Sequence, residues 1–318
     1  MVEVGCAGIL VADTLCGPIK PIPPAGQILV LDEMLTTVGG CAANVACGLM
    51  KQGIETAVTG CVGNDHGAKI VTGELESRDI DCSQIYSTDQ HPTSQTVILI
   101  VEGEDRRFIH VFGANAAFSG EQINRDWLTG LKAFYVGGFF AMPSFDCKAL
   151  AELFKLCRDH GVLTVLDVVV PQGMKDFEGL DHCLPFVDYF LPNDDEAALI
   201  TGRVDPVEQA RHFRDLGVGT TIITLGEKGA IAVQDKDLWQ VGVFDVRIID
   251  PTGCGDAFDA GLISAAIRGA DVPQMLTHAA ALGGSCAQAV GCYDGVFTAD
   301  QTEEFVSKNQ VEMAHKVL

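Results

Sequence analysis

The stretch IIDPTGCGDAFDAGLISAAIRG, residues 248–269, decides the reading of this chain. A loop poor in side chains, DPTGCG (250–255), runs directly into an apolar segment that reads as a helix. VGVFDVRII (241–249), before it, reads as a strand. The first turn of a helix has backbone N–H groups with no intrahelical partner, so such a joint is an anion site. Gly253 and Gly255 let the backbone approach a ligand closely. N–H groups aimed there stabilise charge on a phosphoryl group in transfer. Asp256 is favoured by the helix dipole and stands where it can take a proton from an attacking hydroxyl. It is equally an ordinary first-turn acid behind a tight turn. Two better-known phosphate motifs fail. The dinucleotide fingerprint needs a glycine where Phe258 stands, and a Gly-Lys-Ser/Thr loop occurs nowhere.

Composition narrows the classes. The chain has 318 residues, 47% of them hydrophobic, enough for one large or two modest domains. No apolar run approaches the roughly 18 residues of a membrane span. The opening MVEVGCAGILVADTLCG lacks a basic segment and reads as a strand, so no signal peptide is expected. Twelve cysteines are irregularly spaced without a Cys-x-x-Cys, which predicts reduced thiols in a cytoplasmic protein. The same spacing, and the lack of a His-x-x-x-His pair, disfavours zinc. A net charge of -22 argues against nucleic acid or an anionic membrane as partner.

Outward from the opening stretch, strand-like runs alternate with helical ones. ETAVTGCVG (55–63) precedes HGAKIVTGELESRD (66–79), and KAFYVGGFF (132–140) precedes FDCKALAELFKLCRDHG (145–161). VLTVLDVVV (162–170), VDYFLPN (187–193) and GTTIITLG (219–226) read as further buried strands. This alternation predicts an α/β fold, a parallel sheet covered by helices. Two regions break the pattern. TSQTVILIVEGEDRRFIHVFG (93–113) reads as a hairpin turning at Gly103-Glu104-Asp105, and CGPIKPIPPAGQILVLDEMLTTVGG (16–40) as period-two segments after a Pro-rich turn. Together they predict a small antiparallel flap. SKNQVEMAHKVL (307–318) reads as a peripheral helix.

Three more stretches carry candidate chemistry. TVGGCAANVACGLMKQG (37–53) is a Gly-Gly turn into an apolar helix, with Asn44 in its first turns as a cleft residue or a packed one. LPNDDEAALITG (191–202) puts Asn193 and Glu196 on one helix face. They would hold a hydrated Mg2+ beside phosphates, or form a capping box. TLGEKGA (224–230) is a strand end that either passes close to a nucleotide or is an ordinary turn.

In this order, the four pieces resemble the ribokinase (PfkB) family of sugar and nucleoside kinases, over nearly the whole chain. GGCAANVA resembles its N-terminal Gly-Gly signature and DPTGCGDAFDAG its C-terminal one, usually Asp-Thr-x-Gly-Ala-Gly-Asp. NDDE resembles its Asn-x-x-Glu motif and TLGEKG its nucleotide loop. The resemblance implies a Rossmann-type three-layer α/β/α domain over 1–318, with a β-sheet lid from about 14–37 and 93–113. It implies ATP and Mg2+ as cofactors, Asp256 as catalytic base, and the N–H groups of Gly253, Cys254 and Gly255 as anion hole. Asp13, Gly39, Gly40 and Asn44 would bind the acceptor. Asn193 and Glu196 would organise Mg2+ and phosphates. Thr224, Gly226, Gly229 and Thr252 would line the ATP site, with His278 and Ala281 in HAAALGGSCAQAVG (278–291) flanking adenine. Asp250, Thr252, Cys286 and Gly291 match a monovalent cation site, for K+, although Pro251 stands where Thr is common.

The acceptor is less legible. Orthodox ribokinases carry Asn two residues before the N-terminal Asp and Lys after the Gly-Gly pair. Here these are Val11 and Cys41, which disfavours ribokinase proper and makes that wall less polar. Of Arg106 and Arg107, alternation lets one point inward to an anionic acceptor; solvated lid charges are the alternative. His110 and Asn115 are further acceptor candidates. The expected acceptor is a sugar or sugar derivative with a primary hydroxyl, and a nucleoside comes second. A catalytically silent ligand-sensing fold is the alternative from another class. The resemblance implies a homodimer through the lid as one assembly, since exposed flap edges invite pairing.

Overall fold

The computed structural model describes every residue except Gly103, Asp105 and Arg106. Its strands are β1 (Val4–Gly8), β2 (Val11–Ile19), β3 (Leu35–Gly39), β4 (Thr56–Gly63), β5 (Asp81–Thr88), β6 (Gln95–Val101), β7 (Arg107–Val111), β8 (Ala133–Gly137), β9 (Leu163–Leu166), β10 (Tyr189–Phe190), β11 (Thr220–Thr224), β12 (Ala230–Gln234), β13 (Asp237–Val241) and β14 (Met313–Val317). Its α-helices are α1 (Cys41–Lys51), α2 (His66–Glu76), α3 (Arg125–Leu128), α4 (Cys147–Asp159), α5 (Leu180–Cys183), α6 (Asp194–Thr201), α7 (Pro206–Asp215), α8 (Cys254–Ile267), α9 (Val272–Cys286) and α10 (Ala299–Lys308).

Among the described residues the main sheet has the order β14-β13-β12-β11-β10-β9-β8-β1-β4-β5. From β5 to β11 all neighbours are parallel, and β12 to β14 add an antiparallel edge. Every residue of β1, β4 and β8 is buried, as expected of parallel strands covered on both faces. One face carries α1, α2, α8 and α9, whose Ala42, Leu49, Val71, Ile263 and Leu282 share a core. The other carries α4 and α7, with Leu150, Phe154 and Phe213. The α/β expectation therefore holds. No described helix is long and apolar enough to cross a membrane.

α8 is buried from Ala257 to Ala265. Small residues allow this. A Cβ on Gly48 would lie 2.7 Å from Ala260 Cβ, and one on Gly261 would lie 2.8 Å from Ala279 Cα. Helix α8 is thus clamped between α1 and α9, with its N-terminus facing α1.

A second sheet, β3-β2-β6-β7, forms the lid. It is mixed rather than the expected antiparallel flap: β2 pairs β3 and β6 pairs β7 antiparallel, but β2 and β6 are parallel, with Asp13 opposite Thr96. The reason is topological. β1 and β5 point the same way, and each leads directly into its lid strand. The hairpin expected around Glu104 is present as β6–β7, while Gly103 and Asp105 lie outside the described residues.

Two other expectations are corrected. The segment 241–249 is a strand only to Val241, after which the chain leaves the sheet and Ile249 N–H bonds Ala287 O at 2.7 Å. Within 307–318, α10 ends at Lys308 and β14 pairs antiparallel with β13, His315 stacking on Trp239. An open sheet edge outweighed the helical pattern there.

The root of the lid is fixed by polar groups. Thr93 N–H and Oγ1 both donate to the Asp65 carboxylate, at 2.8 and 2.6 Å. Asn115, 1% exposed, accepts from Leu10 N–H at 3.0 Å and donates to Leu10 O at 3.1 Å. Both ends of its amide thus hold the chain where β1 passes into β2. Asn115→Ala leaves two buried backbone groups unpaired and is expected to cost about 2 kcal/mol or more in thermal unfolding. A fully stable variant with a raised acceptor KM would instead make Asn115 an acceptor ligand.

Candidate active site

The joint between loop and helix has the geometry of an anion cradle. Gly253 caps α8 with φ 76°, and a Cβ there would fall 2.7 Å from Cys292 Cβ. No side chain caps the helix. A Cβ on Gly255 would meet nothing within 4 Å, so the first turn opens onto free space. Cys254 N–H donates to Pro251 O at 3.3 Å, and the helix dipole at this open turn favours an anion.

Asp256 lies in this first turn. Its Oδ2 accepts from Asn44 Nδ2 at 2.8 Å, across the α1–α8 contact, and the Cys41 thiol also bonds it. Burial pushes its carboxyl up, and the bonds from Asn44 and Cys41 oppose that shift. Asp13, on β2, is pushed up to about 6, mainly by burial, with Thr96 holding it down and Asp256 raising it. The two glycines before α1 are explained by contact. A Cβ on Gly39 would lie 1.8 Å from Asp13 Oδ2, and one on Gly40, whose φ is 94°, would lie 2.3 Å from Ile9 O. The fold thus brings Asp13, Gly39, Gly40, Asn44, Asp256 and the Gly253–Cys254–Gly255 turn to one place.

Sequence reasoning missed the groups behind Asp256. Asp259, one turn after Asp256, is 3% exposed, and its Oδ2 lies 3.1 Å from the Tyr135 hydroxyl. The same hydroxyl is 3.3 Å from Asp167 Oδ2, just past β9. Cys41 Sγ and carboxylate oxygens of Asp167 and Asp256 lie within 4.8 Å of one another. The available signal was an acid at i+3 from Asp256 inside an apolar helix.

On the other flank Asn193 and Glu196 form a capping box: Asn193 Oδ1 accepts from Glu196 N–H at 2.8 Å, and Glu196 Oε2 from Asn193 N–H at 3.1 Å. Glu196 is pushed up to about 7, chiefly by burial. Thr224 bridges to Asn193, so the two motifs are neighbours. Gly226, φ 57°, has open space beside it, whereas a Cβ on Gly229 would lie 1.9 Å from Val241 O, a constraint of the turn itself. Asp250 accepts from Thr252 N–H at 2.9 Å and Gly291 N–H at 3.0 Å. The Cys286 thiol lies 3.3 Å from Thr252 O and 3.9 Å from Gly291 O.

Several expected residues lie elsewhere. His278 lines a cavity of about 610 Å³ with Arg268 and Glu303, at the far end of α8 from the cradle. Ala281 is 0% exposed and offers no surface to a base. The part of that segment near the cradle is Gly283–Gly284, beside Cys254 O and Val246. The α9 register, invisible before packing, decides this. Arg107 sits opposite Leu99, on the other lid face from His110, Thr96 and Asp13, and pairs with Glu104. Arg106 lies outside the described residues. His110 Nδ1 is 3.0 Å from Thr96 Oγ1.

Comparisons with known proteins agree with this geometry. Residues 19–299 match the pfkB family carbohydrate kinase domain. The ribokinase of Haemophilus influenzae is 24% identical over 286 residues, 88% of this chain and 91% of that protein. The 2-dehydro-3-deoxygluconokinase of Bacillus subtilis is 26% identical, over 85% of this chain and 86% of that protein. Among solved structures, Arabidopsis thaliana ribokinase complexed with ribose and ATP superposes with a TM-score of 0.81 at 22% identity, covering 96% of this chain and 98% of that one. Fold, cradle and family match converge: the chain belongs to the pfkB family of carbohydrate kinases and is an ATP-dependent phosphotransferase.

Proposed function

We propose that this kinase moves the γ-phosphoryl group of ATP to a primary hydroxyl of a sugar or sugar derivative, with Asp256 as base. The observation that carries this reading is the Asn44–Asp256 bond, at 2.8 Å, beneath the open first turn at Gly255. Asp13 and Asn44 hold the acceptor's hydroxyls beside Asp256. Asp256 takes the proton of the attacking oxygen, and the N–H groups of Gly253, Cys254 and Gly255 face the charge on the transferring group. The lid excludes water, a competing nucleophile.

The oxygen donors of Asn193 and Glu196 suit Mg2+, a hard cation that usually keeps several waters. Bound with ATP, it would neutralise phosphate charge. Thr224 and Gly226 line the nucleotide side, with Gly284 and Val246 near adenine. Carbonyl oxygens of Thr252 and Gly291 beside Asp250 suit K+. Val97, Ile109 and Val111 share one lid face and are 36%, 64% and 49% exposed, which supports a homodimer through the lid. The twelve free thiols support a cytoplasmic setting.

Cys41 and Val11 make the acceptor wall apolar, which favours acceptors other than ribose. Phe108 shares the lid face of Asp13 and His110 and supplies a ring for base stacking, so a nucleoside is the second reading. ADP release across sugars, sugar acids, sugar phosphates and nucleosides separates the two.

Asp256→Asn is expected to lower kcat by about 10²–10⁴-fold while ATP still binds; an unchanged rate would remove Asp256 from its role. Chelation of Mg2+ abolishes turnover, and persistent activity in excess chelator would exclude this mechanism. Protonation of Asp13 removes its capacity to accept from the acceptor's hydroxyls. The acceptor KM therefore rises as pH falls through about 6, below the range near 7 where Glu196 takes up its proton and weakens Mg-ATP binding. An acceptor KM that holds through this range would contradict the assignment.

A further inference from the structure

The Tyr135 side chain is fully buried, with its hydroxyl between two carboxyl groups, 3.1 Å from Asp259 and 3.3 Å from Asp167. A phenol carries one hydrogen, and sharing it between both carboxylates would leave two buried negative charges side by side. A second hydrogen held on one carboxyl relieves that repulsion. A carboxyl oxygen of Asp167 also lies within 4.8 Å of one on Asp256.

The groups around the base come from many elements: Asp13 on β2, Cys41 and Asn44 on α1, Tyr135 on β8, Asp167 after β9 and Glu196 on α6. Asp259 on α8, Cys286 on α9 and Cys292 in the loop beyond complete the set. They are acids, thiols, a phenol and an amide. Burial holds the carboxyls of Asp167 and Asp259 well above the usual range, with Asp259, Glu196 and Asp256 repelling charge on Asp167 and with Asp256 and Glu196 repelling it on Asp259, consistent with a retained proton.

We propose that Asp167, Tyr135 and Asp259 form a shared-proton chain, two hydrogens and one negative charge over three side chains, whose charge beside Asp256 sets the pH at which the base ionises. The inference rests on Asp256 being the base. Asp167 and Asp259 are positioning residues that act through Asp256. Their negative charge disfavours ionisation of Asp256, so the base works at higher pH and is a stronger proton acceptor there. One retained proton keeps that repulsion to a single charge.

The test is the pH profile of kcat at saturating ATP and acceptor, where Asp13 is engaged and the profile reports the bound complex. In Asp167→Asn and in the Asp167→Asn/Asp259→Asn pair, the acidic limb is expected to move to lower pH, by about one unit in the pair. A residue with only a packing role would lower kcat without moving the limb. Limbs that stay in place while Asp256→Asn is inactive overturn the shared-proton chain alone. An active Asp256→Asn overturns the base reading itself. Infrared spectra need no turnover: the wild type at neutral pH should show a protonated-carboxyl C=O band that Asp259→Asn alters, and its absence would overturn the proposal even if the paired variant fails to fold.

Discussion

The bond from Asn44 to Asp256 joins residues 212 positions apart, and the site depends on that junction. It is possible only because α1 and α8 approach until Gly48 and Ala260 touch. The small residues in both helices have that consequence: they let backbones come close, and side chains at the helix starts then meet. Gly39 and Gly40 act similarly on the other side, one leaving room for the Asp13 carboxylate and the other for the Ile9 carbonyl. Asp13, Asn44, Asp256 and the cradle are thus positioned by close contact between secondary elements rather than by long flexible side chains.

The electrostatics follow from the same compactness. A protein of net charge -22 must bind a polyanion, ATP, at a place already rich in carboxylates. Among the described residues gathered around Asp256, none is a Lys or Arg; Cys41 stands beside it. The α8 N-terminus supplies a dipole that attracts phosphate without a basic side chain. Backbone dipoles suit this task because they are held by the helix and need no reorganisation as charge develops.

Local pattern made much of this legible. The alternation of apolar strands and helices gave the parallel sheet, because such strands are buried on both faces and read as continuous apolar runs. The loop at 250–255 marked the start of α8 because glycine and proline interrupt periodicity there. What escaped depends on tertiary register. Whether 313–317 is strand or helix depends on a free edge at β13, and whether β2 and β6 run parallel depends on the directions of β1 and β5. His278 is apart from the cradle because α9 meets α8 in one particular register, and Arg107 is on the far lid face because of one parity. Asn115 looked like a ligand because a buried amide is equally suited to a backbone and to a sugar. The Tyr135–Asp167–Asp259 group was invisible because its members come from three separate elements.

That group also shows where local rules and function part. An apolar helix does not gain stability from a buried acid, and Asp259 breaks the pattern of α8 at its most enclosed stretch. A packing role alone would be filled better by an aliphatic residue of similar size. The acid is tolerated because Tyr135 supplies a hydrogen and because the rest of α8, Ala257–Ala265, is packed on all sides. Departures of this kind are expected at functional sites, where a fold with ample apolar contact elsewhere carries a locally unfavourable group. The position of the departure, one turn from Asp256 and on the same helix face, is therefore itself an argument that the charge of these carboxyls is used.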